Sequence, residues 1–461
     1  MTDIRSGGRA PRPVFAIGRH DCGKRILIQA RMPGKRTGQR GNEMSDNGFP
    51  RFPIPDVALV RRHFSAEHIE DVAGEVRKEL ARVGLAGRVK PGQRIAMTAG
   101  SRGVANIALI LKTIADELKK LDVKPFIVPA MGSHGGATAE GQLELIAEYG
   151  VTEEAVGVPI LSSMDTVVLG TTKYNATIHM DKNAYNADGV IVVGRIKNHT
   201  SFRAPIESGL CKMMAIGLGK QRGAESIHNN GLPRNIPEAA SIMIGTGKIV
   251  MGLGTVENCY HKSCRIVAAP PERIHETDIE YLKIAAKLLP RVPFEAADVI
   301  VVDRIGKNIS GTGMDMNVVG MWRRTGEAPY PPIFQRIVVL DVCPESHGNC
   351  AGLGAADFTT RKLVNQWDAK KTYWNMLTGN FPEGAKIPMT LESDVEAVEV
   401  ALRSAHPDGG ELSLVRIKDT MNLDEFYATA SLVEQLKGGT EYEVIKPLGP
   451  MPRDGECNLL W

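Results

Sequence analysis

Apolar residues form short continuous runs in some parts of the chain and fall at helical spacing in others, which predicts an α/β protein. The run 94–98 predicts a buried strand, and apolar residues at helical spacing then predict a helix over 104–121. A strand over 125–129 and a helix from the N-cap Thr138 to Tyr149 repeat the rhythm. In this architecture, ligands bind on loops at the carboxyl ends of the strands.

The same pattern continues through the rest of the chain. Further buried strands are predicted over 189–194, 248–251, 265–269, 298–303 and 336–341, and helices over 279–289 and in the second part of 351–366. Together these elements predict two α/β domains with the active site in the cleft between them. The N-terminal domain is predicted over 46–290 and the C-terminal domain over 294–430. The segment 431–461 is expected to pack back on the N-terminal domain.

Composition narrows the class of protein. The chain has 461 residues, of which 43% are hydrophobic and 24% charged, as in ordinary soluble proteins. Since no stretch approaches the ~20 apolar residues of a membrane helix, and no apolar secretory signal is present, a cytoplasmic protein without membrane partners is expected.

Charge is concentrated at the N-terminus. Residues 1–43 hold ten Lys/Arg against three Asp/Glu, so the rest of the chain is slightly acidic and no nucleic-acid partner is expected. Residues 1–45 are interpreted as a disordered extension, or as the product of an upstream translation start with Met44 as the natural first residue.

The seven cysteines do not predict a disulfide framework or a metal centre. Their number is odd and their spacing irregular, which favours reduced thiols. The closest approach to a metal cluster is Cys259-Tyr-His-Lys-Ser-Cys264. It lacks the tighter Cys-x2-Cys pair and the matching second pair that zinc and iron–sulfur sites use.

Lys212 is the most informative residue of the chain. It is the only charged residue in the stretch 209–219. A lysine in such a run must reach water, pair with an anion or lose its proton, because burial of an unpaired ammonium costs several kcal/mol. Burial also lowers the pKa of a lysine enough to make it a nucleophile.

Three histidines join Lys212 as candidate chemical groups. His134 lies in the glycine-rich loop 131–136, His199 follows the predicted strand 189–194, and His228 lies downstream of the lysine. Each one alone is more often a surface or structural residue, but histidine can take and give a proton near neutral pH. One lysine and three histidines beside glycine-rich or polar turns therefore predict an active site.

Two familiar catalytic motifs are excluded, and one anion site is suggested. Gly217-Leu-Gly-Lys220 does not fit the phosphate-loop pattern, and no Gly-x-Ser-x-Gly elbow of serine hydrolases is present. The cluster 303–315 follows a strand and mixes glycines with Arg304 and Lys307. It suits a substrate carboxylate, although a glycine-rich turn with solvated charges explains it nearly as well.

Taken together, these motifs resemble the nickel-pincer-nucleotide lactate racemase family. The likeness rests on the loop Met131-Gly-Ser-His-Gly-Gly136, on His199, on Ser208-Gly-Leu-Cys-Lys212, and on His228 sixteen residues after that lysine. It covers roughly residues 50–290 well and 295–430 loosely. Each motif is weak alone, but the order and spacing are fairly specific.

The resemblance implies a cofactor and its ligands. The cofactor would be a pyridinium-3-thioamide-5-thiocarboxylic acid mononucleotide bound covalently through Lys212, a bond that also removes the charge of the lysine. Its nickel would be held by two sulfurs, a ring carbon and His228. Cofactor contacts are implied for Ser101, Arg102 and Gly209, and proteins of cofactor biosynthesis would be partners.

The resemblance also implies a reaction, the racemisation or epimerisation of a 2-hydroxy acid. His134 and His199 would be acid/base partners on opposite faces of the substrate, because two enantiomers present their protons from different sides. Arg102 would lie near the substrate, and Lys307 with Arg304 would take the place of the family's C-terminal substrate-binding lysine.

Departures from the family pattern bear on the substrate. The run 98–103 lacks the acidic residue of the family's Asp-x-Thr-Arg-Pro-like loop, and the gap from His199 to Lys212 is a few residues longer. These differences favour a 2-hydroxy acid other than lactate. Two alternatives stay open: a lyase or redox enzyme on the same scaffold, and a non-catalytic member that binds a nucleotide or acidic metabolite. The sequence leaves a homo-oligomer open.

Overall fold

The structure is a computed structural model that describes residues 43–44, 48–101, 103–326, 328–405 and 411–461. The expectation for residues 1–45 falls almost wholly outside these residues, and so does the predicted site residue Arg102. Residues 42–461 group together as one unit. No helix of the described residues is long and apolar enough to cross a membrane.

Strands occur in every part of this unit. In chain order they are β1 (Glu43–Met44), β2 (Pro50–Arg51), β3 (Val57–Arg62), β4 (Arg94–Ala99), β5 (Lys124–Pro129), β6 (Thr166–Thr171), β7 (Thr177–Asp181), β8 (Gly189–Arg195), β9 (Ile249–Glu257), β10 (Ser263–Ala269), β11 (Ala296–Ile305), β12 (Ile333–Val342), β13 (Phe358–Thr360), β14 (Met389–Leu391), β15 (Leu414–Ile417), β16 (Glu425–Thr429) and β17 (Tyr442–Gly449).

Helices alternate with these strands, which makes the protein α/β as predicted. They are α1 (Val72–Arg82), α2 (Ile107–Lys120), α3 (Ala139–Ala147), α4 (Glu153–Val156), α5 (Lys182–Tyr185), α6 (Leu210–Lys212), α7 (Lys220–Asn230), α8 (Leu232–Gly245), α9 (Ile274–Leu288), α10 (Met316–Val319), α11 (Trp322–Thr325), α12 (Arg361–Gln366), α13 (Ala369–Thr378), α14 (Asp394–Ala405) and α15 (Ala430–Gln435). A π-helical segment, Met213–Leu218, joins α6 to the turn before α7.

The first large sheet has five strands in the order β10-β9-β8-β4-β5. All neighbours are parallel except β9 and β10. Its central strands are continuous apolar runs because helices cover both faces. Residues of α1 and α2 pack on one face, and residues of the π-helical segment, α7 and α8 pack on the other. Parallel strands end at the same edge, so the loops after β4, β5 and β8 meet there.

The second large sheet has eight strands in the order β14-β13-β12-β11-β15-β16-β3-β17. Strands β11 to β15 pair in parallel, whereas β16, β3 and β17 are antiparallel additions. Apolar cores lie on both faces. Tyr427 and Met451 belong to one of them.

Strand pairing crosses the predicted domain division at β3. This strand falls within the predicted N-terminal domain, but it pairs with β16 and β17 in the second sheet. The C-terminal segment 431–461 was expected to pack on the N-terminal domain, and its strand β17 contacts residues of that range through β3. Hydrophobic spacing marks a strand without indicating its partner, so the sheet to which β3 belongs could not be predicted. The domain boundaries themselves stay a prediction.

The predicted elements otherwise differ from the structure mainly at their ends. The helix predicted over 104–121 begins at Ile107, after Asn106 with φ of 60°. The helix predicted over 279–289 begins earlier, at Ile274, directly after a 3-10 turn. The short buried strand β13 lies where 351–366 was read as loop and then helix. Thr138 caps α3 as predicted, accepting a hydrogen bond from the amide of Gly141.

Candidate active site

A cavity of about 500 Å³ opens at the carboxyl edge of the first sheet. The loops after β4, β5 and β8 form one wall, together with the α6 segment and α7. Residues from the second half of the chain form the other wall. The predicted site residues that line this cavity are Ser101, His134, His199, Gly209, Lys212, His228 and Lys307. The structure therefore brings together the lysine and the three histidines that the sequence singled out.

The outcome is different for the two remaining predicted residues. Arg304 lies exposed on β11 and is not among the residues that line the cavity. Arg102 is outside the described residues.

A buried carboxylate positions the segment that carries Lys212. Asp278 of α9 accepts hydrogen bonds from the amides of Leu210 (2.9 Å) and Cys211 (2.8 Å). These are orphan donors of the first helical turn, so the carboxylate acts as a cap. A β-carbon at Gly209 would collide with this carboxylate, which explains the glycine of the motif. Burial raises the pKa of Asp278.

The π-helical segment follows Lys212 directly. This segment passes very close to the loop that carries His134. A β-carbon at Gly217 would lie 2.7 Å from the carbonyl oxygen of Ala130, so the close approach requires glycine at this position. The amide of Gly132 donates to the carbonyl of Gly217 at 3.2 Å. Such segments frequently occur at functional sites. The lysine wall and the His134 loop are thus joined by direct backbone contact.

His134 is held by hydrogen bonds at its ring and at its backbone. Its Nδ1 lies 2.5 Å from the Ser101 hydroxyl. The side-chain amide of Gln142 donates to the carbonyls of Gly132 (2.9 Å) and His134 (3.2 Å). Gln142 is itself completely buried. The loop conformation is therefore set from behind by a side chain that does not line the cavity.

A buried lysine, Lys220, supports this glutamine. Its ammonium donates to the carbonyl of Pro129 (2.5 Å) and to Oε1 of Gln142 (2.9 Å), and it lies 3.3 Å from Asp181. Both charged side chains are fully buried. Burial lowers the pKa of Lys220 and raises that of Asp181. Lys220 is thus a structural cation behind the His134 loop and is not among the residues that line the cavity.

The His199 loop has its own buried carboxylate. Glu207 accepts hydrogen bonds from the amides of His199 (2.6 Å) and Ala204 (3.3 Å). Burial raises its pKa. From the second half of the chain, the side-chain amide of Asn317 donates to the carbonyl of His199 at 3.1 Å. These bonds fix the backbone from both sides.

The ring of His199 has a defined tautomer. Its Nδ1 accepts a hydrogen bond from the amide of Ser201 at 3.1 Å, so this nitrogen carries no proton. Neutral His199 therefore carries its proton on Nε2. The ring also stacks on Phe202, with 4.3 Å between centroids. The stacking and the amide together restrict the orientation of the imidazole.

Potential metal ligands are not clustered in the part of the chain that the structure describes. No group of three or more His, Cys, Asp and Glu side chains among these residues is arranged to hold a metal ion. A metal bound by His228 would have to take its remaining ligands from another molecule.

The second wall is cationic and partly apolar. Lys307 lines the cavity and donates to the carbonyl of Gly311 at 2.6 Å. Arg324 of α11 and Trp374 of α13 line it as well. No aspartate or glutamate is found among the described residues that line the cavity. The electrostatic character of the site therefore favours an anionic ligand.

Fold and site thus define an α/β protein in which one lysine and three histidines converge on a cationic cavity. Residues 51–235 match the family model described as the lactate racemase N-terminal domain. This part of the chain, which carries Lys212 and all three histidines, is similar to that domain. The predicted resemblance to the lactate racemase family is confirmed over these residues.

Two solved structures are similar to this chain at low identity. A protein from Thermotoga maritima shares 11% identity, with 58% of this chain and 70% of that chain covered and a TM-score of 0.45. The lactate racemase apoprotein from Thermoanaerobacterium thermosaccharolyticum shares 15%, with 80% of this chain and 99% of that chain covered and a TM-score of 0.47. At these values neither likeness supports an argument about this protein. No curated protein sequence matches the chain.

Proposed function

We propose that this protein is a racemase or epimerase of a 2-hydroxy acid that works with a nickel-pincer nucleotide bound through Lys212. The observation that carries the proposal is the convergence of Lys212, His134, His199 and His228 on one cavity. It occurs within a segment of the lactate racemase N-terminal family. A proposal from family likeness alone would be weaker, because folds host many functions.

The residues present fit such a cofactor. Lys212 lies in a run without other charges, where acylation would remove the cost of an ammonium. His228 would be the one nitrogen ligand to nickel, which agrees with a group that supplies the other donors itself. Ser101 and Gly209 line the same space and would contact it. When bound, the cofactor would accept and return the hydride of the substrate.

The two histidines would move the proton of the substrate hydroxyl. His199 carries its own proton on Nε2, because Nδ1 accepts the Ser201 amide, so it would accept the hydroxyl proton on Nδ1 and release that amide. Nδ1 of His134 lies beside the Ser101 hydroxyl, and with Nδ1 donating to that oxygen Nε2 would accept the proton. A positioned histidine contributes about 10²–10⁴-fold to such a step. Inversion needs a proton acceptor for each enantiomer, and two separately held histidines provide them.

Lys307 would hold the substrate carboxylate from the second wall. Its ammonium is already oriented by the carbonyl of Gly311. A charge-assisted hydrogen bond of this kind would fix the acid in the cavity without taking part in proton transfer.

The deciding experiment is intact-protein mass spectrometry with metal analysis after co-expression with a cofactor-synthesis pathway. We expect a covalent adduct that maps to Lys212, with about one nickel per chain in line with a single site. Lys212→Ala should lose both, and the exposed control Lys112→Ala should keep both. His228→Ala should keep the adduct and lose nickel.

The loaded protein would then be assayed for racemisation of 2-hydroxy acids. An unmodified, nickel-free Lys212, under conditions that load a known racemase, would contradict the proposal. Full loading without any racemisation would instead favour a lyase or redox enzyme.

A further inference from the structure

Arg324 is an unusual arginine in the second wall of the cavity. Its guanidinium carbon lies 3.8 Å from the centroid of the Phe381 ring, and the residue lines the cavity. Within the part of the chain that the structure describes, the side chain of Arg324 makes no hydrogen bond and no ion pair. Burial lowers its pKa to about 10, and among the described residues the more distant charge of Glu383 opposes this shift.

The other cations that line the cavity have partners within the protein or a proposed covalent role. Arg195 pairs with the carboxylate of Glu257 at 2.7 Å. Lys307 donates to the carbonyl of Gly311, and Lys212 has a proposed covalent role. Lys197 also makes interactions within the protein. Arg324 therefore differs from them in having a desolvated charge and no polar partner among the described residues.

A desolvated guanidinium is stabilised by an anion. Its planar fork of N–H donors matches a carboxylate or a phosphate in a bidentate geometry. Stacking on Phe381 holds the plane of the fork but satisfies none of its donors. Since no carboxylate lines this cavity in the described residues, a ligand is the group that would complete the site.

We propose that Arg324 forms a second anion subsite, so that the substrate is a 2-hydroxy acid with two anionic groups. One carboxylate would be held at Lys307, and a second carboxylate or a phosphate would be held at Arg324. Trp374 and Met376 line the same wall and would contact the carbon chain between the two groups. This inference rests on the proposed function and names its substrate class.

Lys212 and the histidines lie on the first wall, whereas Arg324, Trp374 and Lys307 belong to the second half of the chain. In the proposal Lys307 holds the carboxylate next to the reacting carbon, so the anion at Arg324 is the end of the substrate away from that carbon. Binding energy from such a remote group orients the reacting centre.

Calorimetric titration of the full-length chain without added cofactor tests the subsite. The probes are 2-hydroxysuccinate, 2-hydroxy-3-phosphopropanoate and 2-hydroxybutyrate, the last of which lacks the second anionic group. We expect at least one of the two dianions to bind about tenfold or more tightly than 2-hydroxybutyrate. The tighter of the two identifies the second group as a carboxylate or a phosphate.

Variants assign that preference to the guanidinium. Arg324→Gln should reduce it to about threefold or less and leave the affinity for 2-hydroxybutyrate unchanged. Arg324→Lys, which keeps the charge but not the fork, should retain an intermediate preference. Arg361→Gln, an exposed arginine of the same half, should behave as wild type. Equal affinities for all three probes, or a preference that survives in Arg324→Gln, would overturn the inference.

The two proposals can fail separately. The titration needs neither nickel nor an adduct at Lys212, so its outcome does not depend on loading of the cofactor. Absence of measurable binding by both dianions would also count against the subsite. A loaded enzyme that racemises monocarboxylates as fast as dicarboxylates would leave the proposed function intact and contradict the substrate class.

Discussion

The two walls of the cavity are built in different ways. On the first wall, three segments are each tied by a buried polar group behind them: the Lys212 segment by Asp278, the His134 loop by Gln142 with Lys220, and the His199 loop by Glu207. On the second wall, Trp374 is 74% exposed, and its neighbour Leu377 on α13 is 68% exposed. Three segments proposed for chemistry are held by buried hydrogen bonds, whereas the helix α13 of the second wall presents mostly exposed side chains.

This difference has a physical reason. Proton transfer needs atoms within a few tenths of an ångström of their working positions, and buried, fully bonded polar groups provide that accuracy. Recognition of a flexible acid tolerates a softer surface. Substitutions behind the first wall should therefore cost stability as well as activity, whereas substitutions in the second wall should change only ligand binding.

The largest effect is expected from the histidines themselves. His134→Asn or His199→Asn should lower the rate of racemisation by about 10²–10⁴-fold, because each removes one proton acceptor. The covalent adduct at Lys212 should persist, as neither residue anchors it. Chiral chromatography and intact mass measure the two effects, with the exposed His63→Asn as control. A variant that keeps its rate within about tenfold would remove that histidine from the mechanism.

The next largest effect is expected from removal of Lys220, the cation behind the His134 loop. Lys220→Met leaves the buried carboxylate of Asp181 uncompensated and should lower the free energy of unfolding by about 3–5 kcal/mol. The double variant Lys220→Met/Asp181→Asn should recover part of this loss, since the isolated charge is gone. Urea unfolding measures both, with the exposed Lys182→Met as matched control. A loss below about 1 kcal/mol in the single variant would show that the pair does not support the wall.

The cap of the lysine segment should have a moderate effect. Asp278→Asn replaces one of two acceptors, so an amide of Leu210 or Cys211 loses its partner and unfolding becomes about 1–3 kcal/mol easier. The exposed Glu280→Gln should change nothing. Asparagine does not titrate, whereas the folded-state pKa of Asp278 is raised above its ordinary 3.8. The stability advantage of the wild type should therefore narrow as the pH rises from about 3.8 through that folded-state pKa. A pH-independent difference would contradict the assigned shift.

The smallest effect on stability is expected in the second wall. Trp374→Ala removes a mostly exposed ring and should change the free energy of unfolding by about 0.5 kcal/mol or less. Substrate affinity should fall several-fold, because the ring lines the cavity. Leu377→Ala, on the same helix but not among the lining residues, is the control for binding. A stability loss above about 2 kcal/mol would mean that this wall is as firmly built as the first.

The groups that line the first wall could be predicted from sequence, and the groups that hold them could not. His134, His199 and Lys212 stand in glycine-rich or polar loops that follow strands, so local pattern marks them. Asp278 is distant in sequence from the turn it caps, and nothing in its own helix distinguishes it from a surface aspartate. Arg324 was not predicted as a site residue for the same reason, since only the fold brings it to the cavity.

The fold shows the same division. Continuous apolar runs marked β4 and β8 of the first sheet almost to the residue, whereas β9 extends from Ile249 to Glu257, well beyond the predicted 248–251. The run 57–62 is equally apolar at its start, but its partners lie in β16 and β17 and no local pattern points to them. Strand β13 is only three residues long, which is too short for periodicity to reveal.

The position of β3 also has a consequence for how the chain folds during synthesis. Val60 pairs with Phe426 and Val444, so one of the first strands to leave the ribosome has no partner until nearly the whole chain has been made. The first sheet uses β4 to β10 alone and can form earlier. Because contacts across such a sequence separation form slowly, closure of the second sheet is expected to be the late step of folding. A chain stalled shortly before β16 would expose an unpaired apolar strand, and chaperones would be needed at that stage.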